Sequence, residues 1–296
     1  MDTVRKPSEP IFKKASATPV IVTMCLNLVF AGIKGVAAFF GNSNALMADA
    51  AESFADVMTS AIVWIGIKTA VKEPDEDHPY GHGKAEPVAS IVVAIFLLIT
   101  SVLIASRGVE RIWSPPAIPQ AFTLWILLCV IAFKEGSYRY LKHKANNIGS
   151  TAMLSEALHS RSDAVTSIMA FIGISVAIWT KYIAADAYAS LVAAVIIAFN
   201  AMRIFRPAFN EIMDAAPPIE LTIKVRQIAE KVEGVKEVEK CQLRKMGMHY
   251  FVDMHVVVDG NLSVHEGHEI AHRVKDAVRE QLTNISDVLV HIEPQQ

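Results

Sequence analysis

The sequence contains six apolar stretches, each long enough to cross the roughly 30 Å hydrocarbon core of a lipid bilayer as a helix. They lie at residues 18–40, 44–70, 86–111, 119–141, 151–180 and 183–205. Hydrophobic residues make up 52% of the chain, and the excess is confined to this part, because residues 207–296 have the composition of a charged soluble domain. The sequence therefore predicts an α-helical membrane protein with a tail at 1–17, a six-helix transmembrane domain at 18–206 and a further domain at 207–296.

Lysine and arginine residues mark one side of the predicted membrane. They lie before the first helix, beside the second loop and around the fourth, at Arg5, Lys6, Lys13, Lys14, Lys68, Lys72, Lys84, Lys134, Arg139, Lys142 and Lys144. The first and third loops contain none within them. Because positively charged loops stay in the cytoplasm and an even number of helices returns the chain to the same side, both termini and the C-terminal domain are predicted to be cytoplasmic. The plasma (inner) membrane is the expected location.

Two of the predicted membrane helices carry ionisable side chains, which are expensive in lipid and usually face a partner or an aqueous cavity. Glu52 and Asp56 stand one turn apart in the second helix, and His159 and Asp163 stand one turn apart in the fifth. Three carboxylates and one imidazole suffice for a tetrahedral divalent metal ion. Carboxylates alone favour Mg, Ca or Mn, whereas the imidazole shifts the preference toward Zn, Cd, Co or Fe. A purely structural alternative, hydrogen bonds between helices, stays open at this point.

Such a site also indicates a driving force for transport. Metal ligands must be deprotonated to bind, so loading the ion expels protons and releasing it admits them. A site exposed alternately to the two sides of the membrane would exchange metal for protons, and a higher affinity on the cytoplasmic side would give efflux.

The residues after Pro207 predict a small α+β domain. An amphipathic segment, IELTIKVRQIAEKV, is followed by two strands, a second helix SVHEGHEIAHRVKDAVREQL and a last strand DVLVHIEP. In the second strand, Tyr250, Val252, Met254, Val256 and Val258 alternate onto one face. The order of elements is αββαβ.

The second helix of this domain contains an H-E-x-x-H pattern, which is typical of zinc metallopeptidases. It runs from His268 through Glu269 to His272. On a helical wheel Ile270 and Val274 define the inward face, and His265 joins the two histidines of the pattern on the opposite face. The histidines therefore point away from the core of the domain. A peptidase would also need a third ligand and a substrate groove, and no metzincin-like extension follows downstream. A surface metal site explains the pattern better than a peptidase does, and a solvated histidine-rich face stays open as the structural alternative.

Four motifs, taken in order, resemble those of the cation diffusion facilitator family, the proton-coupled exporters of divalent metals. They are LMADAAESFAD, DEDHPYGHGKAEP, ALHSRSD and VHIEP, and the resemblance covers essentially the whole chain. It implies a homodimer with a metallochaperone-like cytoplasmic domain, protons as the counter-ion, and Zn²⁺ as the main substrate with Cd, Fe, Co or Mn as others. It implies no enzymatic activity and no organic cofactor.

The resemblance also implies which residues bind metal. The transport site falls on Glu52, Asp56, His159 and Asp163. A site in the loop after the second helix falls on Asp75, His78 and His82. A regulatory cytoplasmic site falls on Cys241, His255, His268, His291 and Glu293. A structural ion pair is expected between Lys84 and Asp214. The chain departs from common patterns at Glu52, where the family more often has Asp or His, and at Cys241, where many members have His.

Two functions of other classes stay open from the residues alone: a membrane-anchored metallopeptidase using H-E-x-x-H, and a membrane metal sensor that does not transport. A net charge of −2 argues against nucleic acid as a partner. The three scattered cysteines provide no disulfide framework, and the first 17 residues lack the apolar core of a signal peptide.

Overall fold

The computed structural model describes residues 18–40, 44–113, 122–180 and 185–295. Six long helices occupy the predicted membrane part: α1 Thr18–Phe40, α2 Asn44–Ala70, α3 Ala85–Trp113, α4 Phe122–Ile148, α5 Thr151–Thr180 and α6 Ala185–Ile212. The six-helix prediction is confirmed, but the predicted break after residue 141 was wrong. Helix α4 continues because Tyr138, Leu141 and Ala145 recur at helical spacing and are buried in the core, while the charged residues between them occupy the other face.

Helix α3 has the clearest character of a membrane span. Among the described residues, its segment Ala85–Glu110 combines a length of 26 residues with a mean hydropathy of 2.9, and Pro19–Ile33 forms a shorter apolar helix. Helices α2 and α5 are less apolar because they contain the acidic and histidine residues singled out above.

The helical unit comprises residues 16–72 and 85–209 and has its own apolar core. All six long helices contribute to that core, with Val20, Val63, Ile67, Val93, Leu97, Leu141, Met153 and Ile197 among its buried members. A tight turn joins α4 to α5, where Gly149 has a φ of 72° that a residue with a side chain rarely adopts.

Helix α5 is fixed at its first turn by a buried acid. Oε1 of Glu86, on α3, accepts hydrogen bonds from Ser150 Oγ at 2.7 Å and from the Ala152 backbone N–H at 3.0 Å. Because the first N–H groups of a helix have no partner within it, this carboxylate caps α5. It thereby sets the position of the residues that follow on α5, including His159.

The second unit, residues 73–84 with 210–295, contains the predicted αββαβ domain. Its elements are α7 Ile219–Ala229, β1 Glu237–Met246, β2 His249–Val258, α8 Val264–Gln281 and β3 Ile285–Pro294. The sheet has the order β1-β2-β3, with β1 antiparallel and β3 parallel to the central strand.

One face of this sheet carries the apolar core. The predicted alternation along β2 is confirmed, because Val252, Met254, Val256 and Val258 are buried. Val225 of α7 and Ile270 of α8 belong to the same cluster. Both helices therefore pack against this face, which is called the core face below.

Candidate metal centre

Three of the four residues predicted for the transport site come together between α2 and α5. Asp56, His159 and Asp163 each offer a ligand atom, and these atoms all lie within 4.8 Å of one another. His159 and Asp163 share a face of α5 because they are four residues apart. The side chains are only 11%, 9% and 19% exposed, respectively. Two carboxylates and an imidazole therefore converge inside the helical unit.

His159 lies between the two carboxylates without being satisfied by them. Its Nε2 is 3.3 Å from Oδ1 of Asp56, and its Nδ1 is 3.8 Å from Oδ1 of Asp163. Neither buried ring nitrogen makes a hydrogen bond with the described residues. Buried polar atoms normally have a partner, so an unsatisfied imidazole beside two carboxylates is suited to a cation.

Glu52 stands one turn before Asp56 on α2, but its side chain lies outside the described residues. Its participation in the site stays a prediction.

Lys134 is the main residue of this centre that the sequence did not indicate. Its Nζ donates hydrogen bonds of 2.8 Å to Oδ2 of Asp56 and of 2.8 Å to Oδ2 of Asp163, and its side chain is only 7% exposed. The sequence analysis had counted Lys134 among the charges around the fourth loop, and this interpretation was wrong, because α4 extends through that segment. A third helix thus contributes a cation to the site.

A second carboxylate on α5 lies deeper in the same unit. Glu156 is fully buried, and its Oε1 accepts a hydrogen bond from Ser60 of α2. Glu156 precedes His159 by three residues, a spacing that places both on one side of α5. This spacing was visible in the sequence, but it was not used to predict the site.

The loop between α2 and α3 forms a second cluster, made of Asp75, His78 and His82 as predicted. His78 Nδ1 lies 3.1 Å from Oδ1 of Asp75, and His82 Nε2 lies 3.3 Å from Oδ2. The His78 backbone N–H donates a 2.7 Å hydrogen bond to the same carboxylate, and this bond is the main reason why the pKa of Asp75 is below its usual range. An ionised carboxylate with two imidazoles is a ligand set typical of zinc.

A third cluster lies on the sheet face opposite the core face. His255, His291 and Glu293 bring ligand atoms within 4.8 Å of one another, since His255 of β2 pairs directly with His291 of β3. His255 Nδ1 is 2.6 Å from Oε1 of Glu293. The pKa of Glu293 is lowered, mainly by its hydrogen bond with Glu239 and to a lesser extent by the one with His255. The same bond between the two acids raises the pKa of Glu239. Glu239 is thus an acidic neighbour of this cluster that the sequence analysis did not identify.

Two residues predicted for this cytoplasmic site do not join the cluster in the structure. Cys241 pairs with Met254 and packs with the core-face residues, where burial raises the pKa of its thiol and so disfavours the metal-binding thiolate. His268 is on α8, which covers the core face. Its Nε2 instead lies 3.0 Å from Nε2 of His272.

The predicted ion pair is present. Lys84 Nζ lies 2.6 Å from Oδ1 of Asp214 and donates a further 2.6 Å hydrogen bond to the backbone oxygen of Glu211. The Lys84 and Asp214 side chains are 30% and 50% exposed, so solvent reaches the pair.

The fold and the buried cluster suit a membrane transporter for metal cations, and comparison with known proteins identifies the family. Residues 20–213 match the family profile described as the cation efflux transmembrane domain, and residues 217–295 match the cytoplasmic domain of cation efflux proteins. The chain belongs to the cation diffusion facilitator family, whose members are integral membrane transporters of metal cations and not enzymes. The cytoplasmic domain family is dimeric. The peptidase interpretation of H-E-x-x-H is therefore excluded.

Relatives from distant organisms match along most of the chain. The manganese efflux system protein MneP of Bacillus subtilis is 30% identical over 288 residues, covering 95% of this chain and 97% of MneP. Metal tolerance protein C1 of Arabidopsis thaliana is 30% identical over 88% of this chain and 59% of its own length. Among solved structures, a variant of the MamM cytoplasmic domain in a cadmium form is 27% identical, covers 26% of this chain and 96% of that one, and has a TM-score of 0.26.

Proposed function

We propose that this protein exports a divalent transition-metal cation from the cytoplasm in exchange for protons, using Asp56, His159 and Asp163 together with Glu52 as the transport site. The observation that carries the proposal is the buried convergence of two carboxylates and an unsatisfied imidazole from helices α2 and α5. Ionisable groups at such a depth in a membrane domain mark ion pathways.

Proton exchange follows from the chemistry of these ligands. A carboxylate and an imidazole bind metal only when deprotonated, so metal and protons compete for the same atoms. If the site opens alternately to the two sides, an inward proton gradient reloads the ligands with protons and drives the metal outward. The lysines and arginines of the N-terminal tail and the second loop support cytoplasmic termini in a plasma membrane.

Zinc and manganese have the most support among the candidate metals. The imidazole of His159 suits zinc, as predicted from the sequence, whereas carboxylate oxygens suit manganese. Manganese is further supported by the names of two relatives, MneP and MneS of Bacillus subtilis, which are manganese efflux system proteins. Cadmium, iron and cobalt are the other candidates from the same ligand set.

The two other clusters serve regulation and assembly in this proposal. The protein acts as a homodimer, and metal at His255, His291 and Glu293 makes efflux respond to the cytoplasmic metal concentration. Metal at the loop cluster of Asp75, His78 and His82 acts on the same unit, because residues 73–84 belong with the cytoplasmic domain.

The test is metal flux through the purified full-length chain in liposomes with an imposed pH gradient. Zn²⁺, Mn²⁺, Cd²⁺, Fe²⁺ and Co²⁺ are offered separately, and a pH dye inside the liposomes reports proton movement. Asp163→Asn and Asp56→Asn preserve side-chain size but remove a ligand charge, so flux falls to that of protein-free liposomes. Asp253→Asn, a partly exposed change on the cytoplasmic sheet, is the matched control and retains flux.

Three results would contradict parts of this proposal. Normal flux in both Asp56→Asn and Asp163→Asn removes the assigned site, and metal flux without proton movement removes the antiport. Metal binding by the wild-type protein without any flux would support the sensor function instead.

A further inference from the structure

Lys134 adds a third helix and a positively charged side chain to the candidate transport site. The ammonium of Lys134, on α4, bonds one oxygen of Asp56 on α2 and one oxygen of Asp163 on α5, each at 2.8 Å. The other oxygen of each carboxylate faces His159. No other described lysine or arginine makes an ion pair with these two acids.

Two carboxylates this close repel each other strongly when water is largely excluded, because Coulomb energies rise as the effective dielectric constant falls. A cation between them removes this repulsion, and a buried charge without its partner is strongly destabilising. The ammonium of Lys134 therefore supplies the positive charge that these two carboxylates require. A bound divalent metal would supply the same charge to the same two carboxylates.

The ammonium of Lys134 and a divalent metal ion cannot both bind the two carboxylates at the same time. A metal ion bonds carboxylate oxygens at about 2.0–2.2 Å, which would bring two positive charges on the metal next to a third on the ammonium. The lysine side chain is a point charge on a flexible stem, so the ammonium can withdraw while its backbone stays in α4.

We propose that Lys134 is a tethered counter-cation, which neutralises Asp56 and Asp163 while the site is empty and which an entering divalent metal displaces. The role rests on the proposed function of this site and adds a residue that positions the ligands and sets their affinity. Lys134 weakens metal binding by competing for the carboxylates. Together with the protons taken up by the other ligands, it keeps the empty site charge-compensated while the site reorients across the membrane.

The first test compares the concentration dependence of Mn²⁺ and Zn²⁺ flux in proteoliposomes for the wild-type protein, Lys134→Gln and Lys134→Arg. Without the competing charge, Lys134→Gln lowers KM by about tenfold and also lowers kcat, because metal leaves slowly and the empty site returns slowly. Lys134→Arg retains the charge and does not lower KM. Lys142→Gln, a change on the same helix at a lysine that contacts Tyr138, is the matched control with wild-type values.

An unchanged or raised KM in Lys134→Gln overturns the proposal, and so does a KM in Lys134→Arg that falls as far as in Lys134→Gln. If Lys134 only stabilised the packing of the helices and did not compete with the metal, Lys134→Gln would alter the amount of folded protein but would not lower KM.

The second test uses the wild-type protein and does not depend on the variants folding. Reductive methylation of lysines, quantified by mass spectrometry, reports how available each amine is with and without saturating Mn²⁺ or Zn²⁺. Displacement makes methylation of Lys134 increase when metal is added, while methylation of Lys142 stays constant. Unchanged or reduced methylation of Lys134 contradicts displacement.

These outcomes can be separated from failure of the proposed function. If Asp163→Asn abolishes flux but Lys134→Gln leaves KM unchanged, the transport site stands and the counter-cation does not. If Asp56→Asn and Asp163→Asn both retain flux, the site itself is wrong and the role of Lys134 with it.

Discussion

Lys84 Nζ lies 2.6 Å from Oδ1 of Asp214, although 130 residues separate the two along the chain. This pair joins the loop after α2 to the segment that leads into the cytoplasmic domain. Asp214 adopts a φ of 53°, which asparagine and aspartate tolerate better than other residues with a side chain. The aspartate thus combines a charge for Lys84 with a side chain that suits this backbone conformation.

Replacing Asp214 separates these two contributions. Asp214→Asn keeps the tolerated backbone conformation and loses the ion pair, which for partly exposed groups stabilises by about 0–1 kcal/mol. Asp214→Ala loses the pair and adds about 1 kcal/mol of backbone strain. Hydrogen exchange of residues 210–217 in the full-length protein should therefore increase more in Asp214→Ala than in Asp214→Asn. Equal exchange in the two variants would rule out the strain contribution.

The cytoplasmic cluster provides a second prediction, on metal binding. Because His255, His291 and Glu293 share the sheet face opposite the core face, Glu293→Gln should lower the number of Zn²⁺ ions bound by the full-length protein. Cys241→Ser should leave that number unchanged, because Cys241 lies on the core face. Isothermal titration calorimetry measures both. If Cys241→Ser lost a bound ion while Glu293→Gln kept all of them, the assignment from the sheet faces would be reversed.

The side of the sheet on which Cys241 lies could not be read from the sequence. Strict alternation from the buried Val238 would place Lys240 and Gln242 on the core face. The structure has an irregularity between Val238 and Lys240, and an extra residue in a strand shifts every later side chain to the other face. Cys241 and Leu243 consequently face the core.

In the helical unit, the helices and most of the candidate site could be predicted from the sequence, but Lys134 could not. Long apolar runs identified six helices, and the spacing within α2 and α5 placed Asp56, His159 and Asp163 on faces that could meet. The role of Lys134 at the site was not predicted, because a lysine near the end of an apolar run normally marks a loop and the orientation of the chain in the membrane. Only the contact between α4 and the other two helices reveals the partners of Lys134.

Close packing of α2 against α3 predicts a large difference between two glycine substitutions. A Cβ at Gly66 would lie 2.4 Å from Cβ of Ala89, whereas a Cβ at Gly136 on α4 meets nothing within 4 Å. Gly66→Ala should therefore destabilise by about 1–3 kcal/mol through overpacking, seen as a lower thermal midpoint of the detergent-solubilised protein. Gly136→Ala should match or exceed the wild-type midpoint, since alanine favours a helix. Similar midpoints for the two variants would contradict the close contact.

A capping box at the start of α8 predicts how the stability of that helix depends on pH. Ser263 accepts a hydrogen bond from the Glu266 backbone N–H, and the Glu266 carboxylate accepts bonds from Ser263 Oγ at 2.7 Å and from its backbone N–H at 2.8 Å. These bonds favour the ionised form and lower the pKa of Glu266 below its usual 4.5.

A carboxylate with a lowered pKa in the folded state stabilises fully above its unfolded pKa, and this stabilisation is lost as the pH falls through the folded value. Hydrogen exchange of the first turn of α8, corrected for the intrinsic effect of pH, should therefore rise below about pH 4.5. Glu266→Gln keeps a capping side chain but cannot titrate, so its corrected exchange should lack this rise. Ser263→Ala should raise exchange at every pH, because the serine hydroxyl that caps the helix is removed. A pH dependence in Glu266→Gln equal to that of the wild type would assign the titration to another group.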